Sequence, residues 1–404
     1  MRFLFCAFAT PGYLFPLAGL ALELRRRGHA VAFATGPAGR GLLAAAGLER
    51  VPRGEPDGDS FRLGEWETAV STAIDLKHVE YAAERFRADA LVTHVLCQAP
   101  LLARERRGLP VAVLGHFGYL WPRPGAAPAA DRDAALRAWR LRDGVRILNQ
   151  ARALFRLPPL EPDPAEVPLL GDLHLLRSAA GLEPDLAGLP ARVHAVGACL
   201  WEPPRDEGRA WAELRAELAA PDAPLLYAQQ GRTFGGPGFW PRLAEAVAGR
   251  PLQVVASLGR MDAAVGALPA NVLARPHVAQ GLVLPHARAV LSGGHTTVVA
   301  AALAHGLPGV VVPGGGETPE NAATLARLGC ARRLEAEGLT AEALRRALEE
   351  ALEDPGMRRA ARRAQRALAA VDSFPAAAEL VERMAAGRAP VLREEPAEAA
   401  GAAD

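Results

Sequence analysis

Cysteine is scarce in this chain of 404 residues, and its four cysteines lie far apart in the sequence. They are Cys6, Cys97, Cys199 and Cys330, and none of them falls in a C-x-x-C spacing. This spacing argues against a structural zinc site and against a disulfide framework. It fits a reducing compartment, so we expect a cytoplasmic protein.

An excess of charge and a long apolar run are also missing. The chain carries 46 basic and 45 acidic residues, which implies no nucleic-acid partner and no strongly acidic one. No apolar run approaches the roughly 20 residues that span a bilayer. The apolar segment 3–9 runs directly into Pro11 and Gly12, which favours a buried first strand over a signal peptide. We therefore expect a protein that does not span a membrane.

The length and the alternation of patterns predict two α/β domains. A chain of this length is expected to form two domains of about 150–200 residues each. Apolar runs predict strands, and amphipathic runs predict helices. The predicted order near the start is strand 2–9, turn 10–13, helix 15–27, strand 29–35, then strand 88–94, helix 99–107 and strand 111–114. Strands and helices that alternate in this way indicate a parallel, doubly wound sheet.

The stretch 289–329 contains two strand–glycine–helix turns in succession. The first strand leads into the sequence SGGHTT at 292–297, and the second leads into GGGETP at 314–319. Glycines let the backbone approach a ligand closely. Thr296 or Thr297 is expected to cap the first helix, and Thr318 the second. The N–H groups of such a helix start, together with the helix dipole, form an anion site.

The segment 292–329 resembles the donor-site signature of family 1 glycosyltransferases, the GT-B-fold enzymes that include antibiotic and macrolide glycosyltransferases. Their pattern is roughly H-G-G-x-G-T, then G-x-P and P, then D-Q-x-x-N-A and a closing glycine. The matching positions are Gly293, Gly294, Thr297, Gly306, Pro308, Pro313, Asn321, Ala322 and Gly329. Three positions depart from it: Ser292 stands in place of His, Glu317 in place of Asp, and Thr318 in place of Gln.

This resemblance covers about residues 1–386 and implies the GT-B fold, in which two Rossmann-like doubly wound domains face each other across a cleft. The implied divisions are an acceptor-binding domain 1–200, a linker 201–220, a nucleotide-sugar-binding domain 221–372, and a helix 373–386 that packs back on the first domain. The remainder, 387–404, is rich in Pro, Ala and Glu and is expected to be disordered.

The resemblance also implies a donor site in the second domain, with the nucleotide sugar as substrate and with no metal or other cofactor. The implied donor-binding residues are Gly231, Arg232, Thr233, His277, Gln280, Ser292, Gly293, Gly294, His295, Thr296, Thr297, Glu317, Thr318 and Asn321. Because Ser292 carries no positive charge, His295 or Arg232 is expected to supply what the family's His supplies. Thr318 in place of Gln resembles enzymes that use deoxysugars, which have fewer hydroxyls to hold.

A base that removes the acceptor's proton is expected in the first domain. Family members often pair a His in the first turn with an Asp after a later strand, and here Tyr13 and His94 occupy those positions. Histidine, with an ordinary pKa near 6.5, suits this task better than tyrosine, with one near 10. We hypothesise that His94 takes the proton, directly or through Tyr13, and His116 is the next candidate. The alternatives are a structural His94, or a reaction in which neither residue acts.

The function implied by the resemblance is inverting, metal-independent transfer of a deoxysugar from a dTDP- or UDP-sugar to a small hydrophobic natural product. Three alternatives stay open. They are a catalytically degenerate GT-B protein that binds a nucleotide sugar or assists a partner, a transferase that forms glycolipids, and a nucleotide-sugar epimerase of similar fold. The sequence also leaves a homodimer open.

Overall fold

The computed structural model describes residues 1–125, 132–231, 238–259 and 265–394. The chain divides into two compact units. Unit 1 comprises Met1–Arg177, Asp185–Pro203 and Asp372–Asp404, and unit 2 comprises Ser178–Pro184 and Pro204–Val371. Each unit is built around its own parallel sheet, so the predicted class of two doubly wound α/β units is confirmed.

Unit 1 contains a sheet with the strand order β3-β2-β1-β4-β5-β6-β7 in the described part of the chain, and neighbouring strands are parallel. The strands are β1 Arg2–Ala7, β2 Ala30–Thr35, β3 Glu49–Val51, β4 Ala90–His94, β5 Val111–Leu114, β6 Leu173–Leu176 and β7 Val193–Ala195. The first helices are α1 Pro11–Arg26, α2 Arg40–Ala45, α3 Ala69–Phe86, α4 Ala99–Arg107 and α5 Arg132–Leu154.

Strand β1 shows why this sheet is covered on both faces. Successive side chains of a strand point to opposite faces, and a parallel sheet buries both. Phe3 and Phe5 belong to one apolar cluster with α1, whereas Leu4 and Cys6 belong to another with α3 and α4. All four side chains are fully buried. The unbroken apolar run at the start of the chain is therefore an interior strand of a sheet with a core on both faces.

Unit 2 has a sheet of strand order β10-β9-β8-β11-β12-β13 in the described residues, again with parallel neighbours. Its strands are β8 Leu225–Gln229, β9 Gln253–Ser257, β10 Val272–Arg275, β11 Ala289–Ser292, β12 Gly309–Val311 and β13 Ala331–Arg333. Its helices are α6 Glu207–Ala216, α7 Phe239–Val247, α8 Gln280–Val283, α9 Thr296–Ala304, α10 Thr318–Arg327, α11 Ala341–Glu353 and α12 Pro355–Ala369.

The last helix, α13 (Ser373–Gly387), belongs to unit 1 although it follows unit 2 in the sequence. Its Phe374 ring lies so close to Gly19 of α1 that a side chain at Gly19 would overlap it. Glu382 of α13 pairs with Arg27 at 3.1 Å and with His29 at 2.7 Å. These contacts hold the last helix against the first.

Two of the predicted segment boundaries require correction. The segment 201–220 was expected to be a linker, but it contains α6, because the Asp206 side chain accepts the Arg209 N–H at 3.0 Å and caps a helix there. In the segment expected to be disordered, Val391 is buried and its N–H donates to the Asp172 carbonyl. Residues 388–394 therefore pack on unit 1, whereas 395–404 lie outside the described residues.

None of the helices in the described ranges combines the length and the apolar character that crossing a membrane requires.

Candidate active site

The first of the two glycine turns in unit 2 joins β11 to α9. A Cβ at Gly293 would overlap the carbonyl oxygen of Gln230, at the end of β8, and Gly294 has a φ of +87°. The Ser292 hydroxyl accepts the Gly294 N–H at 3.3 Å. The N-cap of α9 is His295 rather than Thr296 or Thr297, and its side chain makes no capping bond. Close packing of β8 against this turn is what requires glycine here.

The second turn joins β12 to α10, and Thr318 closes it. The fully buried Thr318 hydroxyl accepts the Gly314 N–H at 3.0 Å and donates to the Gly315 carbonyl at 2.9 Å. The prediction that Thr318 caps α10 is wrong by one residue, because Glu317 occupies the N-cap and Thr318 begins the helix. The hydroxyl is used within the turn itself.

The two turns lie side by side because β11 and β12 are neighbouring strands, and side chains tie them together. A Glu317 carboxylate oxygen lies 3.3 Å from the Thr296 nitrogen and 3.4 Å from His295 Nδ1. Asn321, buried in the first turn of α10, donates to the Gly294 carbonyl at 2.8 Å and to the Thr296 hydroxyl at 3.2 Å. Both residues belong to the second turn and α10, and both hold the first turn in place.

The remaining predicted donor residues come from three further segments. Gln280, the first residue of α8, donates to the Thr297 carbonyl at 3.3 Å, so it lies beside the first turn. Gly231 follows β8 with a φ of +96°, and His277 is exposed beyond the end of β10. Arg232 and Thr233 lie outside the described residues. The carboxyl ends of β8, β11 and β12 thus bring most of the predicted donor residues to one edge of the sheet.

In unit 1 the three predicted catalytic side chains come together at the carboxyl ends of the strands. Tyr13 lies in the first turn of α1, which begins at Pro11 and not at 15, because proline suits the first position of a helix. The Tyr13 and His94 rings stack with centroids 4.1 Å apart and planes at 14°. His116 meets Tyr13 edge-on at 6.3 Å.

His94 is buried and held in one tautomer. Its Nε2 accepts the backbone N–H of Phe8 at 3.2 Å, so the proton of the neutral ring lies on Nδ1, which has no hydrogen-bond partner among the described residues. Burial lowers the pKa of His94 well below 6.5, and the nearby His116 lowers it further. This geometry does not favour His94 as a base, because its accepting nitrogen is already engaged. Sequence reasoning missed Phe8, which resembles any other apolar residue at a strand end.

His116 follows β5 and is itself buried. Its carbonyl accepts the Arg177 N–H at 2.8 Å, which fixes the backbone beside β6. The preceding Gly115 has no room for a side chain, because the His174 ring fills that space. Burial, followed by the charges of His116 and His194, lowers the pKa of His174 to about 3, so His174 is neutral at physiological pH. His116 therefore has the stacked rings of Tyr13 and His94 near it, and the neutral imidazole of His174 lies against the preceding residue, Gly115.

Comparison with known proteins agrees with this architecture. Residues 243–386 match the family described as erythromycin biosynthesis protein CIII-like, C-terminal domain. The structure of the calicheamicin glycosyltransferase CalG4 is similar with a TM-score of 0.68 and 26% identity, over 96% of this chain and 98% of that one. The chain is a glycosyltransferase of the GT-B fold.

Two curated relatives match this glycosyltransferase over nearly the whole length of both chains. It is 27% identical to 4'-demethylrebeccamycin synthase of Lentzea aerocolonigenes, over 92% of this chain and 97% of the relative. It is 28% identical to O-mycaminosyltylonolide 6-deoxyallosyltransferase of Streptomyces fradiae, over 96% and 98%. The predicted resemblance to bacterial natural-product glycosyltransferases is confirmed.

Proposed function

We propose that this glycosyltransferase moves a deoxysugar from a dTDP- or UDP-sugar to a small hydrophobic natural product, with inversion and without a metal ion. The observation that carries this proposal is the pair of adjacent glycine turns that Glu317 ties together. Helix α9 begins at the first turn, and a helix start favours an anion such as a diphosphate. The second turn places a carboxylate beside it, which suits the hydroxyls of a sugar.

The state of Thr318 supports a sugar with few hydroxyls. Its side chain is fully buried, and its oxygen bonds to Gly314 and Gly315 within the turn. A glutamine at this position would reach further and offer two hydrogen-bonding groups, a carbonyl and an NH2, in place of one hydroxyl. Glu317 is then the principal side chain for the sugar hydroxyls in this turn. The Streptomyces fradiae relative is a 6-deoxyallosyltransferase by name, which points in the same direction.

For the reaction, we propose that the acceptor hydroxyl attacks the anomeric carbon as the bond from that carbon to the diphosphate oxygen breaks. The hydroxyl proton passes to a base, and the nucleoside diphosphate leaves with the bonding electron pair. His116 is the proposed base, because the accepting nitrogen of His94 is occupied by the Phe8 N–H. Tyr13 and His94 form an aromatic wall beside it.

A thermal-shift panel with dTDP, UDP, GDP and their glucose conjugates tests the donor site. We expect one nucleotide to raise the melting temperature selectively, its sugar conjugate to raise it more, and Glu317→Ala to weaken the additional effect of the sugar. No shift with any nucleotide would contradict the proposal. The matched control is Glu335→Ala, because Glu335 is also a carboxylate of unit 2 but makes an exposed ion pair with Arg333.

A degenerate protein is the second candidate, and Ser292 and Tyr13 in place of histidines favour it. Such a protein would bind the nucleotide sugar but would release no nucleoside diphosphate with any acceptor. The acceptor panel should contain macrolide and lipid acceptors, because a lipid product would instead identify a glycolipid-forming transferase. All four cysteines are buried and free of disulfides, which supports our placing of the enzyme in the cytoplasm.

A further inference from the structure

Helix α12 of unit 2 carries positive charge along its exposed side. Its sequence, Pro355–Ala369, contains five arginines and no acidic residue. The buried residues of this helix are small or apolar, and they pack it against α9. The exposed arginines are Arg359, Arg362, Arg363 and Arg366. We call these four residues the arginine face.

The charges of the arginine face are not compensated by neighbours. In the part of the chain that the structure describes, none of its four side chains forms an ion pair or a hydrogen bond. The remaining arginine of the helix, Arg358, donates to a backbone carbonyl at 2.8 Å. Exposed arginines on two other helices of unit 2 do have acidic partners. Arg209 of α6 pairs with Glu213 at 2.8 Å. Arg346 of α11 pairs with Glu342 at 3.3 Å.

The arginine face contributes nothing to the stability of its own helix. Like charges three or four positions apart on a helix repel each other, and Arg359 is followed by Arg362 and Arg363 at these two spacings. Arg359 also lies near the helix start, where the helix dipole disfavours positive charge. Glutamine forms helices about as well as arginine does. These charges are therefore not required by the fold, and they are available to an anionic partner.

The end of α10 adds a further arginine beside this face. A Cβ at Gly329, just after α10, would lie 3.9 Å from the Cβ of Ala360, so the chain there contacts α12. Burial raises the pKa of the Cys330 thiol to about 12, and the charges of Arg327 and Arg363 are among the influences that oppose this rise. Both guanidinium groups therefore lie near Cys330. Arg327 is exposed and borders the arginine face.

The composition of this surface favours a lipid headgroup layer over a protein or a nucleic acid. The exposed residues of α12 include no aromatic and no large aliphatic side chain, whereas the centre of a protein interface is usually apolar and aromatic. The chain as a whole has balanced charge, whereas nucleic-acid-binding domains are usually strongly basic. Clusters of about four to eight Lys or Arg on an amphipathic helix are typical of proteins that bind anionic lipids.

We propose that the arginine face binds the surface of a membrane that contains anionic phospholipids. The contact is electrostatic and does not insert the helix, because the apolar residues of α12 are buried against α9. The choice of a membrane rests on the proposed function, since a hydrophobic acceptor collects in lipid bilayers and an enzyme held there meets it at a higher concentration. The binding itself requires no nucleotide sugar.

Co-sedimentation of the full-length chain with lipid vesicles tests the proposal. Vesicles of phosphatidylcholine alone are compared with vesicles that also contain phosphatidylglycerol. We expect binding only to the second kind, and we expect it to weaken when the salt concentration rises from about 50 to about 200 mM. The double variant Arg362→Gln, Arg363→Gln should lower the partition coefficient about 25-fold at the lower salt concentration, which is about fivefold for each arginine removed.

Two other double variants serve as controls. Arg209→Gln with Arg346→Gln removes the same amount of charge from exposed helices of the same unit, so it should bind like the wild type. Arg362→Lys with Arg363→Lys should also bind, because a charged lipid surface does not require the planar fork of arginine. The glutamine variant of α12 should melt at or above the temperature of the wild type, because it relieves repulsion within the helix. A loss of binding would then not reflect unfolding.

Three results would overturn this inference. The first is a wild type that does not bind the phosphatidylglycerol vesicles at low salt. The second is unchanged binding by the variant Arg362→Gln, Arg363→Gln. The third is tighter binding to a DNA duplex than to the vesicles, lost in the same variant, which would assign the arginine face to nucleic acid. Vesicle binding without a thermal shift from any nucleotide would contradict the proposed function and leave the membrane contact intact.

Discussion

The carboxyl edges of the two sheets hold their candidate residues in different ways. In unit 2 the edge is built from backbone, since Gly293 has no space for a Cβ beside Gln230 and Gly231 none beside His295. In unit 1 the edge is built from stacked rings, with Tyr13 flat on His94 at 4.1 Å. The first arrangement depends on the absence of side chains, and the second depends on their packing.

This difference explains which part of the site a sequence reveals. A glycine that the fold requires stands at a fixed position of a sequence motif, so it can be recognised from the sequence. Many proteins bind phosphate with such glycine-containing motifs. A ring held by other rings leaves no comparable mark, because an aromatic residue is also ordinary core material. We therefore expect the glycine turns of unit 2 to tolerate few substitutions. The residues at the edge of unit 1 are recognised by the chemistry of their side chains and not by a motif.

The largest expected effect concerns the base in unit 1. His116→Asn should lower kcat by about 10²–10⁴-fold, the usual contribution of a general base, with a small change in donor KM. The residual activity should lose the dependence on pH that a base imposes. Steady-state kinetics between pH 6 and 9 measures both.

The variant to compare with His116→Asn is His94→Asn, which changes the neighbouring histidine of unit 1. An asparagine oxygen can still accept the Phe8 N–H that His94 Nε2 accepts at 3.2 Å. We therefore expect this variant to keep the pH profile of the wild type. A lost pH dependence in His94→Asn, with a normal one in His116→Asn, would return the role of base to His94.

The second effect concerns two glycines, one in the first glycine turn of unit 2 and one in the first turn of α1 in unit 1. Gly293→Ala should weaken binding of dTDP or UDP by about 100-fold or more, because the methyl group would push Gln230 out of place. Gly12→Ala is the matched change in unit 1, since a Cβ at Gly12 has nothing within 4 Å. It should leave donor binding and the melting temperature unchanged. Equal losses in both variants would contradict the contrast between the two edges.

A third prediction uses a buried acid of unit 1. Asp75 of α3 is buried, and it accepts the Phe61 N–H at 2.6 Å. Burial raises its pKa from 3.8 to about 7, although the Phe61 N–H and Arg53 oppose the shift. An acid with a raised pKa in the folded state stays protonated while the unfolded chain ionises. Folding stability should therefore fall as pH rises from about 4 to about 7.

Asp75→Asn tests this pH dependence, because it keeps an oxygen for Phe61 and cannot ionise. Between pH 5 and 7 the wild type should lose roughly 2 kcal/mol of unfolding free energy relative to the variant. Chemical denaturation of both proteins at several pH values gives this difference. Parallel curves for the two proteins would refute the raised pKa.

The smallest expected effect is that of Asn321→Ala. It removes the bonds from Asn321 to Gly294 and Thr296 that tie α10 to the first turn. Loss of such buried bonds costs about 1–3 kcal/mol of stability. Donor affinity should fall about tenfold, because the turn would lose its support. Asn149→Ala, which removes comparable bonds to Leu160 in unit 1, should lower stability without a change in donor affinity.

Much of the fold followed from apolar periodicity. Helix 99–107 and strand 111–114 were predicted with the bounds that the structure shows, because Gly108 and Pro110 separate two clear patterns. The start of α1 was missed by four residues, since the sequence TPG looks like a turn although Pro11 begins a helix. The linker and the end of the chain were missed because helix α6 and Val391 are stabilised by individual contacts that composition does not show.

The sequence predicted which residues would gather at this edge of the unit 2 sheet, but it did not predict their hydrogen-bond partners. Most of the predicted donor residues meet at one edge because they follow neighbouring strands of one sheet. The Thr318 hydroxyl closes its own turn, and His94 accepts a hydrogen bond from the Phe8 N–H. Both contacts depend on the folded geometry, which a sequence pattern does not show. For the same reason, the sequence analysis named His94 first, whereas we propose His116 as the base.

The return of α13 to unit 1 constrains how the protein can be made and divided. Residues 1–203 lack the helix whose Phe374 fills the space above Gly19, so a fragment ending there would expose that apolar surface. During synthesis from the amino end, unit 1 stays incomplete until α13 has left the ribosome, whereas all residues of unit 2 precede α13 in the sequence. A protein that contains unit 1 by itself therefore needs Asp372–Gly387 joined to Pro203 by a linker.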